Sequence, residues 1–164
     1  MREASNKLRE LDARDLCTKA YEFQMIGKLE EAVSMYKRSI ELHPTAEAHT
    51  FLGWTYSFMG KFEEAIDECK RAIELDPDFG NPWNDIGAYL IELGREEEAQ
   101  PYLEQATQAK RYDSHTFAHY NLSRVFLKKG MLQRAVAELK MALEADPEYG
   151  PARQALEQIE AQLQ

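Results

Sequence analysis

Two histidines set four residues apart are the side chains of this sequence with the clearest capacity for chemistry. His115 and His119 would lie on one face of a helix, and Asp113 stands just before them as a third ligand. Such a set could hold a metal ion such as zinc. The alternative is structural, because His119 occupies a repeated position that His49 and Trp83 fill elsewhere in the chain. We favour that packing role and predict no bound metal and no cofactor.

The two cysteines and the known catalytic motifs add no support for an enzyme. Cys17 and Cys69 do not form a Cys-x-x-Cys pair, and no histidine or lysine is placed in the sequence to activate Cys17. Motifs of phosphate-binding loops, serine-nucleophile turns and zinc proteases are absent as well. The sequence therefore predicts a protein that is not an enzyme.

The net charge and the hydropathy of the sequence limit the classes of molecule that the chain is expected to bind. Lys and Arg number 20 against 29 Asp and Glu, which gives a formal net charge of −9. A negative protein lacks the counterion-release contribution on which nucleic-acid binding depends, so we expect no nucleic-acid partner. No apolar run approaches the roughly 18 residues of a membrane span. We therefore expect no membrane partner and a cytoplasmic location, with both cysteines reduced.

A sequence repeat dictates the elements that must position these side chains. The segment Gly27-Lys28-Leu29-Glu30-Glu31-Ala32 returns as Gly60-Lys61-Phe62-Glu63-Glu64-Ala65, and looser copies begin at Gly94 and Gly130. Further columns of small residues recur at the same spacing: Ala20, Gly53, Gly87 and Ser123, and also Ser39, Ala72, Ala106 and Ala142. A fixed period in this range predicts a stack of two-helix units rather than one globular core.

Each repeat is predicted to contain two helices joined at its glycine, because apolar residues recur at helical spacing on both sides of it. The second helix should end just before Pro44, Pro77 and Pro147, since proline cannot continue a helix. The third repeat is longer by two residues and carries Arg111 at the proline position. We expect a longer turn there, with Asp113 or Ser114 as the cap of the next helix.

These columns resemble the tetratricopeptide repeat, and the second repeat carries the pattern best with Leu52-Gly53, Tyr56, Ala65, Ala72 and Pro77. The resemblance implies an all-α protein, a right-handed α-solenoid of helix-turn-helix repeats with a C-terminal capping helix. The predicted organisation is an N-terminal helical extension at 1–12, four repeats within 13–149 (13–45, 46–79, 80–115 and 116–149) and the capping helix at 150–164. We expect Leu8 and Leu11 of the extension to pack on the first repeat.

In the tetratricopeptide family the first helices line a concave groove that receives an extended peptide or a partner helix. By this resemblance we predict a non-catalytic module that binds a protein or peptide partner. The predicted groove residues are Tyr21, Phe51, Trp54, Phe58, Asn84, Asp85, Phe117, Tyr120, Asn121, Arg124 and Lys128. The first half of this set is aromatic, and the second half carries amides and charges. The two asparagines could bind a ligand backbone and the two cations a carboxylate, or these groups could be solvated or bonded to one another.

One specific function of the family does not carry over. Co-chaperones that capture the acidic C-terminus of heat-shock proteins place Lys, Asn and Arg in fixed columns of three successive repeats. Those columns hold Cys17, Tyr21, Phe51, Asn81 and Asp85 here, or, one repeat later, Thr50, Trp54, Asp85, Phe117 and Asn121. Two alternatives to a peptide-binding module stay open. One is a scaffold in which an end of the solenoid or the aromatic groove docks on another copy, which an open stacking surface at the N-terminal repeat would favour. The other is a secretion-type chaperone that shields hydrophobic segments.

Overall fold

The computed structural model describes residues 1–164 as nine α-helices without a β-strand, which confirms the predicted all-α repeat fold. The helices are α1 Arg2–Met25, α2 Leu29–Leu42, α3 Ala46–Phe58, α4 Phe62–Leu75, α5 Gly80–Glu92, α6 Glu96–Gln108, α7 His115–Lys128, α8 Leu132–Ala145 and α9 Gly150–Leu163. The chain divides into two compact units, an N-terminal unit Met1–Pro77 and a C-terminal unit Asp78–Gln164. None of the helices combines the length and the apolar character needed to cross a membrane.

Four helical hairpins turn at the repeated glycines. Gly27, Gly60, Gly94 and Gly130 all have positive φ, between 71° and 79°, a region that favours glycine. In the first hairpin the amide of Lys28, just after the glycine, donates to the carbonyl of Phe23 at 2.9 Å. The other three hairpins repeat this bond at 2.8–2.9 Å. The glycine thus ends each first helix by satisfying carbonyls that would otherwise lack a partner.

Small residues in the first helices allow the second helices to approach closely. A Cβ placed on Gly53 would lie 2.9 Å from the carbonyl oxygen of Ala65 and 3.1 Å from Sγ of Cys69. A Cβ on Gly87 would lie only 2.3 Å from Cδ2 of Leu103, whose side chain is fully buried. At these two positions the size of the residue sets the distance between the helices of a hairpin.

The core of the N-terminal unit contains a polar group as well as apolar side chains. Ala20, Ala32, Tyr36 and Leu52 form its buried cluster. The phenol of Tyr36 donates a 2.9 Å hydrogen bond to Oε1 of Gln24, and burial raises the pKa of this phenol. The buried side chain of Gln24 therefore links α1 to α2.

The longer turn of the C-terminal unit accounts for the absence of proline in the third repeat. The amide of Arg111 donates to the carbonyl of Asp78 at 2.9 Å, and the Arg111 carbonyl accepts from the amide of Gly80 at 3.0 Å. The guanidinium of Arg111 also lies 4.2 Å from the ring centre of Phe79. A proline has no N–H and could not make the first bond. Ser114 is the N-cap of α7, without a hydrogen bond from its side chain.

The N-terminal segment does not pack as expected. It is continuous with α1, and Leu8 and Leu11 are 61% and 48% exposed. The prediction that these leucines pack on the first repeat is wrong, because α1 has 24 residues and its partner α2 only 14. The first buried residue of α1 is Ala13, whose carbonyl accepts a hydrogen bond from Oγ of Ser39 near the end of α2.

The last helix covers the core of the C-terminal unit. Ala152 and Ile159 of α9 are buried against Leu139 and Ala142 of α8. Most of the remaining residues of α9 are exposed, and the polar ones among them are Arg153, Gln154, Glu157, Gln158, Glu160 and Gln162. The helix therefore places an apolar side on α8 and a polar side outward.

Candidate functional site

A row of four aromatic side chains, here called the aromatic ladder, lies on the first helices of the N-terminal unit. Tyr21 of α1 contacts Phe51 of α3 with 5.6 Å between ring centres, and Phe51, Trp54 and Phe58 follow one another at 6.5 and 5.1 Å. Tyr21 is 39% and Phe58 57% exposed, whereas the two rings between them are partly buried. The ladder is a continuous apolar strip whose two ends are open.

The sequence builds this ladder by helical spacing and fixes it to the core. Phe51, Trp54 and Phe58 follow one another at intervals of three and four residues along α3, which places them on one face. The ring of Phe51 stacks on the fully buried ring of Tyr36, with 6.1 Å between centres and an interplanar angle of 11°. This contact fixes the middle of the ladder to the core.

Cys17 lies beside the buried cluster that supports the ladder. Burial, together with the negative charge of Glu47, raises the pKa of this thiol. A raised pKa keeps the thiol protonated and unreactive at neutral pH. Cys17 thus behaves as a small apolar side chain that packs next to the ladder.

In the C-terminal unit the predicted polar residues are bonded to one another. The amide nitrogen of Asn121 donates to Oδ1 of Asn84 at 3.0 Å, and both side chains are buried. Arg124 donates to Oδ1 of Asn121 at 3.4 Å and to Oε1 of Glu92 at 3.2 Å. Together with Asp85, these side chains form what we call the polar chain. Its asparagines hold the guanidinium of Arg124 in place, and each uses part of its hydrogen-bonding capacity on the other.

Asp85 ends the polar chain inside the unit. Burial raises the pKa of its carboxyl to about 7, and a hydrogen bond with Asn84 opposes that rise. Its charge also raises the pKa of Tyr112, after the larger effect of burial on that phenol. The carboxyl therefore changes its protonation state near neutral pH, which few carboxyl groups do.

A second aromatic cluster borders the polar chain. Phe117 and Tyr120 of α7 each meet the ring of Tyr149 edge to face, with 5.4 Å between ring centres. Phe117 is 45% exposed, and Lys128 is exposed at the end of α7. We did not predict Tyr149 as a site residue. A repeated motif could have identified Tyr149, since Asp76-Pro77-Asp78-Phe79-Gly80 returns as Asp146-Pro147-Glu148-Tyr149-Gly150.

His49 and His119 occupy packing positions between paired helices, whereas His115 is the first residue of α7 and lies against the ring of Tyr112. Nδ1 of His119 is hydrogen-bonded to Oε2 of Glu138 at 2.7 Å, and Nδ1 of His49 to Oε2 of Glu68 at 2.6 Å. Both pairs are 19 residues apart, and Trp83 and Tyr102 fill the same two positions in the third repeat with ring centres 5.9 Å apart. No group of three or more His, Cys, Asp or Glu side chains is arranged to hold a metal ion. We did not predict Glu68 and Glu138 as the partners of these histidines, although the spacing of 19 residues recurs in the sequence.

Comparisons with solved structures agree with this architecture. The pilus biogenesis factor PilW superposes with a TM-score of 0.83 at 22% identity, over 91% of this chain and 69% of that one. PilF of Pseudomonas aeruginosa gives 0.79 at 23% identity, over 94% and 77%. YrrB, described as a TPR protein with an unusual peptide-binding site, gives 0.72 at 24% identity, over 98% and 81%. At these identities the similarity establishes the fold.

Sequence models of the family identify the repeats directly. No curated protein matches the chain in sequence. Three tetratricopeptide repeat models match residues 46–79, 68–101 and 90–159, which together extend over 46–159. The fold is generally a non-catalytic module for protein interaction. The chain belongs to the tetratricopeptide repeat family.

Proposed function

We propose that this chain is a non-catalytic binding module that captures an apolar peptide segment or helix of a partner protein on the aromatic ladder. The observation that carries the proposal is the ladder itself, a contiguous row of rings with Tyr21 and Phe58 exposed at its ends. Contiguous exposed apolar surface on a folded protein marks an interaction site more often than isolated exposed residues do.

The ladder has the physical properties of a binding surface. Trp and Tyr contribute large areas of contact and few rotatable bonds, and they are frequent among residues that dominate binding energy. Because Phe51 is stacked on Tyr36, the protein loses little conformational entropy when a ligand docks. Most of the ordering cost then falls on the partner segment.

We propose that the C-terminal unit offers a second contact surface, made by Phe117, Tyr120 and the polar chain. In this proposal Asn84, Asp85 and Asn121 position Arg124, and Arg124 and Lys128 receive a carboxylate of the partner. The hydrogen bonds from Arg124 to Asn121 and Glu92 support this role, since they orient the guanidinium before binding. Arg124 would then exchange its ion pair with Glu92 for one with the partner.

The proposal is tested by selecting peptides on the wild-type chain from a random phage-displayed library. The selected peptides are then measured by fluorescence anisotropy on wild type and on Tyr21→Ala/Trp54→Ala. We expect selected sequences rich in apolar residues, and at least about a tenfold weaker affinity for the double variant, since anchors of this type contribute about 2 kcal/mol or more.

A matched control separates the ladder from general surface hydrophobicity. Leu75 is a half-exposed apolar residue of the same unit outside the ladder, so Leu75→Ala should leave the affinity of the peptides unchanged. The helical content of the double variant should match wild type. Equal binding to wild type and to the double variant would remove the ladder as the site.

A further inference from the structure

The N-terminal segment of α1 presents an apolar stripe that no other element covers. Residues 1–12 are exposed along their whole length, although they form three turns of regular helix. Ala4, Leu8 and Leu11 lie at intervals of four and three residues, which aligns them on one face of the helix. This stripe is distinct from the aromatic ladder, whose residue in α1 is Tyr21.

The stripe faces away from the body of its own unit. Ala13, Ala20 and Gln24 are the buried residues of α1, and they contact α2 through Ser39 and Tyr36. At 3.6 residues per turn, Ala4, Leu8 and Leu11 lie on nearly the opposite side of the helix from these buried residues. A partner helix laid along the stripe would therefore meet no obstruction from α2.

The spacing of the stripe is that of the two core positions of a coiled coil. If Leu8 occupies position a of a heptad, Ala4 and Leu11 occupy position d. The flanking positions g and e are then filled by Lys7 and Asp12. In two parallel helices, position g of one heptad faces position e of the next heptad on the other helix. Lys7 of one copy would meet Asp12 of a second copy, and symmetry would produce this ion pair twice.

The same register disfavours the opposite orientation and limits the length of the contact. In an antiparallel pair Lys7 would face Arg14, and Ala4 would share a layer with Asp15, so like charges and a buried carboxylate would oppose association. In the parallel pair the next core position is Asp15, which would face its own copy. The favourable contact between the two helices therefore ends after Leu11.

We propose that the stripe binds the same stripe of a second copy of this chain, as a short parallel two-helix contact between the N-terminal segments. The helix does not have to be nucleated on binding, because α1 is already held by its hairpin with α2. Three small or medium apolar residues per helix form a small interface, of the weak class below about 1,200 Å². The association is therefore reversible and depends on protein concentration.

The first experiment is sedimentation equilibrium of the full chain over a wide range of concentrations. We expect a monomer–dimer equilibrium in wild type and monomer at every concentration for Leu8→Glu/Leu11→Glu. At a concentration where wild type is monomeric, the unfolding midpoint of this variant should match that of wild type, since both leucines are exposed in the monomer. Monomeric wild type throughout the range would overturn the proposal.

Two control variants identify the surface that is used. Leu75→Glu changes a leucine of similar exposure elsewhere in the N-terminal unit, and Leu163→Glu changes a cleft of about 680 Å³ near Met131 and Leu132 in the C-terminal unit. Both should dimerise like wild type. A dimer that is lost in Leu163→Glu, or that persists in Leu8→Glu/Leu11→Glu, would overturn the proposal because another surface would be in use.

Charge exchange and cross-linking test the parallel register. Lys7→Asp and Asp12→Lys should each weaken dimerisation about threefold, and the double exchange should return it to within about twofold of wild type.

In a Cys17→Ser background, Leu11→Cys should form an intermolecular disulfide with oxidised glutathione, because equivalent d positions adjoin only in parallel helices. Cross-linking no faster than that of Arg9→Cys, which would lie at the exposed position b outside the stripe, would overturn the register. Tyr21→Ala/Trp54→Ala should dimerise normally, so this test is independent of peptide binding.

Discussion

The N-terminal and C-terminal units build their first-helix surfaces with different interactions. In the N-terminal unit rings contact rings, and Phe51 joins the ladder to the buried Tyr36. In the C-terminal unit the corresponding helices are joined by hydrogen bonds from Arg124 through Asn121 to Asn84. The column that holds Phe51 in the second repeat holds Asp85 and Asn121 in the third and fourth. The same fold therefore accepts an apolar or a polar side chain in this column, provided that the neighbouring repeat supplies a side chain of the same kind for it to contact.

Replacing Phe51 tests the apolar side of this comparison and should have the largest destabilising effect. Phe51→Ala removes the ring that contacts Tyr21, Tyr36 and Trp54. We expect the free energy of unfolding to fall by about 3 kcal/mol, the lower end for a buried aromatic ring, because Phe51 is partly buried. Urea unfolding monitored by circular dichroism measures the change.

The matched variant is Phe117→Ala in the C-terminal unit, where the ring is 45% exposed and contacts Tyr149. The free energy of unfolding of this variant should fall by about 1 kcal/mol or less. Equal losses for the two phenylalanines would contradict the view that Phe51 supports its unit while Phe117 is a surface residue.

Replacing Asn121 tests the polar side and should have an intermediate effect. Asn121→Ala leaves Oδ1 of the buried Asn84 without its donor and releases one contact of Arg124. An unsatisfied buried polar group costs about 1–3 kcal/mol, so we expect a loss of about 2 kcal/mol in the free energy of unfolding. Chemical denaturation measures this loss. The slope of the free energy of unfolding against denaturant concentration shows whether the unfolded state has changed as well.

A double-mutant cycle with Asn84 sharpens the measurement. Adding Asn84→Ala removes the orphaned acceptor, so the second substitution should cost less in the Asn121→Ala background than in wild type. Simple additivity of the two losses would show that the asparagines act independently.

Replacing Asp85 should have an effect of the opposite sign. Its folded-state pKa of about 7 lies above the ordinary 3.8, so the folded protein binds a proton that the unfolded protein releases between these values. The free energy of unfolding of wild type should therefore decrease as pH rises from about 4 to about 7. Asp85→Asn should remove this contribution and stabilise the protein above pH 7 by up to about 4 kcal/mol, because the two pKa values differ by about three units and each unit corresponds to about 1.4 kcal/mol.

The control for this prediction is the pH dependence itself. The difference between wild type and Asp85→Asn should be small at about pH 4, where the folded carboxyl is protonated and ionisation of the unfolded one has only begun to cost stability, and it should grow as the pH rises towards 7. A difference that stays constant with pH would mean that packing, and not ionisation, distinguishes the two side chains.

Several features could be predicted from the sequence because their causes are local. The four hairpin glycines have positive φ, which a side chain would disfavour, and the second helices of three repeats end two residues before Pro44, Pro77 and Pro147. Helical periodicity likewise placed Phe51, Trp54 and Phe58 on one face of α3. Each of these assignments depends on residues within one or two turns of the chain.

Other features depended on contacts between residues far apart in the sequence. The partners of His49 and His119 are glutamates 19 positions away, and Asn84 and Asn121 are 37 positions apart. Leu8 and Leu11 were predicted to be packed but are exposed, because the shorter α2 ends before it can reach them. A single sequence does not reveal which of several polar groups will come within bonding distance.

The repeat period, the hairpin turns and the apolar faces of the helices follow from residue types and their local spacing, since backbone conformation and helical periodicity are properties of short segments. Exposure, hydrogen-bond partners and the pKa of Asp85 arise only when helices pack, because burial and electrostatics depend on every neighbour in space. For this protein, local chemistry thus specifies the stack of hairpins. Packing then determines that the first-helix surface is an aromatic ladder in one unit and a polar chain in the other.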